Sequence, residues 1–305
     1  MNERGNLIAV VALIGLALIN ATTTAQRAPA TSTPALTITS EPNAIVWVDE
    51  IRRGTTDTSG KLALTKLTPG RHTLRVRANG FKEATIPLLP GKRTALVKLV
   101  RSTDPAELAF QRAETAREQA RTEEAQRQAA EIYREALKLR PTYPAAHLGL
   151  ARVLLELNEY QDALAEIEAA RRSRPIYPEA SAVEGRIHRE SAFEDKAVAS
   201  FRRAIREGKG VQPEAHVGLA RLYEENGQQE EAIAEYQKAI AQLSDSEPVI
   251  YQLLGAAYEK QQKHKEALAA YEKYLALAPN GSLAPALRSI IEQLRRDAAG
   301  QEIIP

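Results

Sequence analysis

Three arginines recur at one position of a repeating sequence: Arg152, Arg186 and Arg221, which are 34 and 35 residues apart. A guanidinium presents a planar fork of donors that matches a carboxylate with two parallel hydrogen bonds. If the three side chains form one rank, they offer a surface for carboxylates or for an acidic peptide. The spacing therefore makes these arginines the candidate partner-binding residues.

A glutamate follows each arginine after four residues, at positions 156, 190 and 225. Residues four apart share one face of a helix, and such a pair contributes about 0.2–0.5 kcal/mol. The alternative interpretation is therefore that each arginine is neutralised on its own helix and faces solvent. The next equivalent position is Ala256, where the rank ends.

Few other residues could do chemistry. The chain has no cysteine, which excludes disulfides, Cys-ligated zinc, iron–sulfur clusters and thiol catalysis. Gly208-Lys209-Gly210 lacks the earlier glycine and the following Ser or Thr of a phosphate-binding loop. His147, His188 and His216 fall on repeat-packing positions, and His264 is expected to be solvated. We therefore predict no catalytic, cofactor-binding or metal-ligating residue and no enzyme.

The composition bounds the class of protein. A chain of 305 residues allows one to three domains. Its 41 basic and 39 acidic residues leave a net charge of +2, which argues against a nucleic-acid partner. The charge is unevenly distributed: residues 36–100 hold 11 basic and 5 acidic residues, net +6, and residues 101–305 hold 28 and 33, net −5.

Residues 1–25 have the pattern of a secretory signal peptide. Leu7 to Ile19 form an uncharged run that is short for a membrane span, and Thr23-Thr24-Ala25 offers small residues for cleavage before Gln26. An uncleaved anchor is the alternative. Residues 26–35 are small and proline-bearing, which predicts a flexible linker. The chain is therefore expected to be exported, to the periplasm or cell envelope.

Residues 36–100 alternate apolar and polar positions in short runs that turn residues separate, which predicts a small all-β sandwich. The run Ile45 to Val48 is apolar on both faces. Ser40-Glu41-Pro42-Asn43-Ala44 and Pro69-Gly70-x-His72 resemble the PEGA family, although Asn43 stands where that family usually has glycine. The resemblance implies a bacterial envelope location and a structural role for His72.

The remaining chain repeats with a period near 34 residues. Alanines recur in phase, bulky residues follow four positions later, and small residues recur in the preceding helix. The repeat-packing positions are Ala129, Ala163, Ala197, Ala232, Ala267, Tyr133, Phe201, Tyr236, Tyr271, Gly185 and Gly255. Because one such unit cannot bury its own apolar stripe, neighbouring units must stack.

This pattern resembles the tetratricopeptide repeat (TPR) family. Tyr251-x2-Leu254-Gly255-x2-Tyr258 is the best match to its first helix. The resemblance covers an all-α solenoid over residues 101–281, and residues 282–305 are predicted to add a capping helix, Ser282 to Arg296, and a frayed tail. In this family the position of the arginine rank faces the concave groove where peptides bind.

The sequence therefore predicts a multidomain, exported, non-enzymatic scaffold, with a PEGA-like β-sandwich followed by a TPR solenoid. The partner is a protein or peptide in the TPR groove, at the bacterial cell envelope. The alternative is that the basic β domain binds an anionic envelope polymer or glycan while the TPR array acts as a spacer. No oligomeric state follows from the sequence.

Overall fold

The computed structural model describes residues 36–67, 70–243 and 246–301, with side chains up to residue 296. The predicted signal peptide and linker lie outside these residues. All described residues belong to one compact unit, Pro34–Pro305. Seven described strands precede eleven described helices, so the predicted order of a small all-β region and a helical array is confirmed.

The strands form two sheets. Their bounds are β1 Leu36–Thr39, β2 Ile45–Val48, β3 Ile51–Thr55, β4 Lys61–Leu64, β5 His72–Arg77, β6 Ala84–Leu88 and β7 Thr94–Leu96. We call the sheet with order β4-β1-β7 the outer sheet, the sheet with order β3-β2-β5-β6 the inner sheet, and both together the β module. Every neighbouring pair is antiparallel except β1 and β7, which are parallel.

The two sheets enclose one apolar core. Leu36 and Ile38 of the outer sheet meet Val46 and Val76 of the inner sheet, and all four are fully buried. Period-two alternation places these residues on one face and their neighbours on the other. The β module is therefore the predicted two-layer sandwich.

Two turns of the β module depend on particular residues. Asn43 has φ 57°, a left-handed conformation that asparagine tolerates, so the turn does not need glycine there. His72 is nearly buried, and its Nδ1 lies 2.6 Å from Oδ2 of Asp49. The same carboxylate accepts the Thr73 N–H at 2.8 Å. His72 thus holds the β2–β3 turn against β5, which is a structural arrangement.

The helices pack as antiparallel pairs. Their bounds are α1 Pro105–Gln119, α2 Glu123–Leu139, α3 Pro144–Glu156, α4 Tyr160–Ser173, α5 Pro178–Glu190, α6 Glu194–Glu207, α7 Pro213–Glu225, α8 Gln229–Leu243, α9 Val249–Lys260, α10 His264–Leu277 and α11 Ala284–Gln301. A proline begins α1, α3, α5 and α7, where its fixed φ favours the first turn. These first helices contact one another in sequence and line the inner, concave surface.

A bulky ring joins each unit to the next. Phe201 is fully buried, and a Cβ added at Gly185 of its own unit or at Gly218 of the next would lie 2.6 or 2.3 Å from the ring. The ring therefore fills the space that both glycines leave open. The five in-phase alanines, the four aromatic residues and Gly255 at the predicted packing positions are also buried.

Each buried tyrosine at the ring position that Phe201 occupies in its unit has a hydrogen-bond acceptor for its hydroxyl. The Tyr236 hydroxyl donates to Glu224 at 2.6 Å, and the Tyr271 hydroxyl donates to Glu259. Both glutamates lie 12 residues before their tyrosine. Twelve residues before Phe201, which has no hydroxyl, stands Arg189. Because a buried hydroxyl without a partner is costly, each buried tyrosine has a carboxylate acceptor, which for Tyr133 is Glu114, 19 residues earlier.

The last helix covers the end of the stack. Leu287, Ile291 and Leu294 pack on Tyr271 and Tyr274 of the preceding helix. The predicted end at Arg296 is wrong, because α11 continues to Gln301. Alanine and glutamine in this stretch support a helix, and no proline ends it before residue 305. Among the described residues, no helix is long and apolar enough to cross a membrane.

Adding a methyl group beside the Phe201 ring should destabilise the fold. An alanine normally stabilises a helix over glycine by about 0.5–1 kcal/mol, but Gly218→Ala places Cβ against a ring held on both sides, and overpacking costs about 1–3 kcal/mol. We expect Gly218→Ala and Gly185→Ala to lower the free energy of unfolding in urea. In a Phe201→Leu background the same changes should become neutral or stabilising. A more stable Gly218→Ala variant with Phe201 intact would contradict the packing.

His147 should make stability depend on pH. Burial opposes protonation of its ring, but the Glu166 carboxylate 2.5 Å away and the Pro141 carbonyl outweigh burial and raise the pKa of His147. A raised folded pKa stabilises the fold below the unfolded pKa and loses that stabilisation as pH rises through the folded value. Wild type should therefore gain stability over His147→Gln when pH falls from about 8 to about 6.

His188 provides a control, because its effect on the pH dependence of stability should be opposite to that of His147. Burial lowers the pKa of His188, so acidification should destabilise wild type relative to His188→Gln. Urea unfolding at several pH values measures how the free energy of unfolding of wild type and of each variant depends on pH. Equal pH slopes for wild type and His147→Gln would refute the proposed pairing of His147 with Glu166.

Candidate partner-binding site

The inner sheet lies across the concave surface of the helical array. At one end the module contacts α1: Arg77 Nη2 lies 3.0 Å from Glu114 Oε2, and Asn79 Nδ2 donates to Thr115 Oγ1 at 3.1 Å. The Gly80 N–H donates to the side chain of Gln111 at 2.6 Å. The β5–β6 turn is thereby attached to the first helix of the array.

At its other end the inner sheet contacts the fourth helix pair. Arg53 Nη1 of β3 donates to the carbonyls of Gln242 and Leu243, at 3.0 and 2.9 Å. Ile51 is 6% exposed and belongs to the same apolar cluster as Leu243 and Ile250. The sheet therefore spans the groove from α1 to the end of α8.

One buried carboxylate joins module and array. Glu114 of α1 contacts Arg77 of the module and Arg117 of its own helix, and it accepts a hydrogen bond from the Tyr133 hydroxyl of α2. Burial would raise the pKa of Glu114, but the two guanidiniums and the hydroxyl lower it below its ordinary value. Glu114 is therefore ionised and binds three groups from three elements.

Between sheet and helices lies a cavity of about 640 Å³, which we call the cleft. Its upper wall is the face of the inner sheet that points away from the β core, with Ile45, Trp47, Arg75 and Arg77. Its lower wall comes from α1, α3 and the loops before α5 and α7. A smaller cavity of about 210 Å³ shares Arg75, Arg77, Phe110, Ala145, Arg174, Tyr177, Glu50 and Glu179 with it.

Guanidiniums and aromatic rings are stacked in the cleft. Arg75 lies 4.1 Å from the centre of the Trp47 ring, and Arg174 lies 4.1 Å from that of Tyr177. Arg77 lies 5.2 Å from both Trp47 and Phe110. Such stacking leaves the edge of a guanidinium free to donate hydrogen bonds. The lining therefore combines apolar surfaces with oriented donors.

Several polar atoms of the cleft lack a protein partner. Arg75 Nε and Glu179 Oε2 are buried and make no hydrogen bond with described residues. Burial, together with the nearby Glu179 carboxylate, raises the pKa of Tyr177 to about 12, so its hydroxyl stays protonated at neutral pH. Buried polar groups are usually satisfied. Arg75 Nε is therefore a donor and Glu179 Oε2 an acceptor without a protein partner, whereas the terminal nitrogens of Arg75 pair with Glu50 and Glu83.

The predicted arginine rank is only partly assembled. Arg152 and Arg186 lie 3.3 and 3.5 Å from the two carboxylate oxygens of Glu214, in the first turn of α7. Arg221 is exposed and makes no ion pair with a described residue. The alternative of pairs four residues apart is wrong, since Arg152 and Arg186 use Glu214 instead. Only Arg152 of the three lines the cleft.

Sequence analysis missed the residues that close the groove. Trp47, Arg75, Arg77 and Tyr177 carried no motif. One signal was present: the run Ile45–Val48 is apolar on both faces, which indicates a strand that is covered on both sides. The second cover is the helical array. Among the described residues, no group of three or more His, Asp and Glu side chains could hold a metal ion.

Comparison with known proteins decides the family of the helical array. Three models described as tetratricopeptide repeat match residues 120–187, 182–248 and 248–280, which together span more than half of the chain. The chain belongs to the tetratricopeptide repeat family. TPR proteins bind peptide or protein partners, and their stacked units form extended concave surfaces.

Solved TPR structures share the fold of the array. TTC0263, a thermophilic TPR protein of Thermus thermophilus, matches with TM-score 0.52 and 22% identity, over 62% of this chain and 98% of its own. PilW, a type IV pilus biogenesis factor, matches with TM-score 0.53 and 17% identity, over 65% and 89%. Pseudomonas aeruginosa pilF matches with TM-score 0.52 and 15% identity, over 64% and 86%. No curated protein matches the chain.

Removing two arginines should loosen the β module from the TPR array. Arg53→Ala loses two hydrogen bonds, and Arg77→Ala leaves Glu114 with Arg117 as its one ion-pair partner beside the Tyr133 hydroxyl, each at a cost of about 1–3 kcal/mol. Since the chain has no cysteine, Asn79→Cys with Thr115→Cys gives one thiol pair across the interface. We expect the double arginine variant to lower the rate at which a short bifunctional thiol reagent links this pair by several-fold.

The matched control removes two arginines that pair within the TPR array. Arg127→Ala and Arg295→Ala break exposed ion pairs with Glu123 and Glu272 and should leave the linking rate unchanged. An unchanged rate in Arg53→Ala/Arg77→Ala would show that these contacts do not hold the module.

Proposed function

We propose that the protein is a non-enzymatic adaptor that holds an extended segment of a partner protein in the cleft between inner sheet and TPR array. The observation that carries this proposal is the cleft itself: a TPR concave surface with a second wall supplied by the same chain. An open TPR groove accepts a helix or a strand, but the added wall narrows the space. A single extended strand is the element that fits.

The dimensions of the cleft support a short segment. Its volume of about 640 Å³ lies inside the range of roughly 300–1,000 Å³ that is typical of ligand sites. An extended chain advances about 3.3 Å per residue, so a few residues suffice to cross it. Trp47 and Tyr177 offer flat apolar surfaces to its side chains, and such anchors contribute most of the binding energy in many interfaces.

Eight acidic and seven basic side chains line the cleft, so its unpaired groups, rather than its total charge, favour a segment with both a carboxylate and N–H groups. Arg174 stacks on Tyr177 and has no acidic partner among the described residues. The terminal nitrogens of Arg75 pair with Glu50 and Glu83, and only its Nε lacks a partner. Arg174 and the Nε of Arg75 can both donate to a carboxylate of the ligand. Glu179 Oε2 can accept from a backbone N–H of the segment. The other arginines are already paired, Arg52 with Glu118 and Arg152 with Glu214.

The pairing of Glu114 supports a structural rather than a catalytic role for this carboxylate. Glu114, a largely buried carboxylate of the cleft, has a lowered pKa and two guanidinium partners. A general acid or base needs a pKa near the working pH and access to substrate. Glu114 has neither property, so its role is to hold the two walls of the cleft together.

We further infer that the adaptor is exported and works at the bacterial cell envelope. Two sequence observations support this location: the apolar run Leu7–Ile19 followed by Thr23-Thr24-Ala25, and the PEGA resemblance of residues 36–100. Both stay predictions. PilW and pilF share the fold at 17% and 15% identity, a level that carries the fold and not their role.

Site-specific photocrosslinking in the native cell tests the cleft. A photoreactive amino acid at Lys209, which lines the cleft, should capture one dominant protein. The same amino acid at Arg202, an exposed position of α6 outside the cleft, should not. Mass spectrometry of the linked peptide should identify an acidic segment of the partner. Equal capture at both positions, or none at Lys209, would overturn the proposal.

Charge reversal at another residue of the cleft gives a second test. Arg174→Glu places a carboxylate against an acidic segment and should abolish capture from Lys209. The control, Arg172→Glu, changes an exposed residue two positions earlier that does not line the cleft. Undiminished capture in Arg174→Glu would show that the partner does not use the donors of the cleft.

A further inference from the structure

The outer sheet presents a second surface, on the side of the β module that faces away from the TPR array. Leu36, Ile38 and Leu64 point from this sheet into the β core. The opposite face carries Leu96 and Lys61. Because the inner sheet contacts the array, this face of the outer sheet is directed into solvent.

The chain that follows β7 extends this face. Val97 and Leu99 pack into the β core, whereas the alternating residues Leu96, Lys98 and Val100 point outward. Leu96 is 62% exposed and Val100 is 68% exposed. Leu89, in the connection from β6 to β7, is 52% exposed. Three large aliphatic side chains are thus open to solvent within 12 residues of sequence.

The same stretch is cationic and has no acidic residue. Residues 84–103 contain four basic side chains and no acidic one. The basic residues are Lys92, Arg93, Lys98 and Arg101. The strands of the outer sheet contain no acid either. Lys92, Arg93 and Lys98 are exposed and make no ion pair with any described residue.

Two acids, Glu41 and Asp57, lie in turns near this stretch. Asp57 accepts hydrogen bonds from the Ser59 and Lys61 backbone amides, which lower its pKa. Its carboxylate is therefore ionised and held within its own turn, and among the described residues neither Asp57 nor Glu41 forms an ion pair with Lys92, Arg93 or Lys98.

We propose that this surface, formed by Leu89, Lys92, Arg93, Leu96, Lys98 and Val100, docks on an anionic lipid bilayer. Aliphatic side chains enter the boundary between headgroups and acyl chains, while cations stay at the headgroups. Each Lys or Arg near an anionic membrane adds about 1 kcal/mol. A hydrated wall polymer would use the cations but gain little from exposed Leu and Val, so the combination favours lipid.

The lipid surface is separate from the cleft. The cleft is lined by the inner sheet, and none of the six docking residues contributes to it. Docking would therefore hold the module at a membrane with the cleft open on its far side. Because the two sites share no residue, a failure of partner capture and a failure of lipid binding are distinguishable.

Vesicle flotation tests the docking surface. Purified chain of residues 26–305, which lacks the apolar run Leu7–Ile19, is mixed with vesicles of phosphatidylcholine alone or with about one third phosphatidylglycerol. We expect binding only to the anionic vesicles. Added salt should weaken it, since exposed charges are screened over about 10 Å at 0.1 M ionic strength. Equal binding to both vesicle types would overturn the proposal.

Two variants separate the apolar from the charged contribution. Leu96→Ser/Val100→Ser and Lys92→Gln/Arg93→Gln/Lys98→Gln should each reduce vesicle binding by about tenfold or more. Matched controls change equally exposed residues of the TPR array: Leu139→Ser/Ile176→Ser and Arg202→Gln/Lys263→Gln/Lys265→Gln. These should bind as wild type. All altered side chains are exposed, and thermal unfolding checks that each variant folds.

A fluorescent label gives an independent readout. With no native cysteine, Leu96→Cys and Arg202→Cys can each carry one environment-sensitive dye. Emission from position 96 should shift to shorter wavelength with anionic vesicles, and emission from position 202 should not. If the serine variant keeps full binding to isolated cell wall while the glutamine variant loses it, and position 96 shows no shift with vesicles, the surface binds a polymer and the lipid proposal is wrong.

Discussion

The structure depends on the charge of Glu114. A carboxylate removed from water is costly unless cations and donors surround it, and Glu114 has Arg77, Arg117 and the Tyr133 hydroxyl. These groups come from the β module, α1 and α2. In this buried position all three elements stabilise the ionised state, so one residue links the sandwich, the first helix and the first unit of the array. The cleft exists because this link holds the inner sheet over the concave surface.

A second wall changes what a TPR groove can recognise. An open groove must select its ligand with one surface and order it on binding, which costs conformational entropy. Here the rings of Trp47 and Tyr177 and the guanidiniums of Arg75 and Arg174 already face one another across a fixed space. The attachment at both ends, through Arg77 and Arg53, preorganises that space. In the proposed function, specificity therefore depends on the width of the cleft as much as on its charges.

The repeats were predictable because they depend on local periodicity. Phe201 and Gly185 recur in phase with their counterparts, and the strands of the module alternate with period two. The cleft was not predictable in this way. Arg152 and Glu214 are 62 residues apart, and Arg53 and Leu243 are 190 apart, so no spacing rule brings them together. The repeat spacing predicts that the three arginines share one position of the repeat. Their ion-pair partner, Glu214, depends on how the repeat units stack. The apolar face of Ile45 and Trp47 was the one local sign that the inner sheet is covered.

The uneven charge of the sequence has a structural counterpart. The module carries a net charge of +6, and the chain from residue 101 onward carries a net charge of −5. Ion pairs between these opposite charges join the two parts: Arg52 pairs with Glu118, and Arg77 pairs with Glu114. These cations lie on the inner sheet. Lys92, Arg93 and Lys98 lie on the other side of the module and have no acidic partner among the described residues. The TPR array therefore neutralises one face of a basic sandwich and leaves the opposite face cationic.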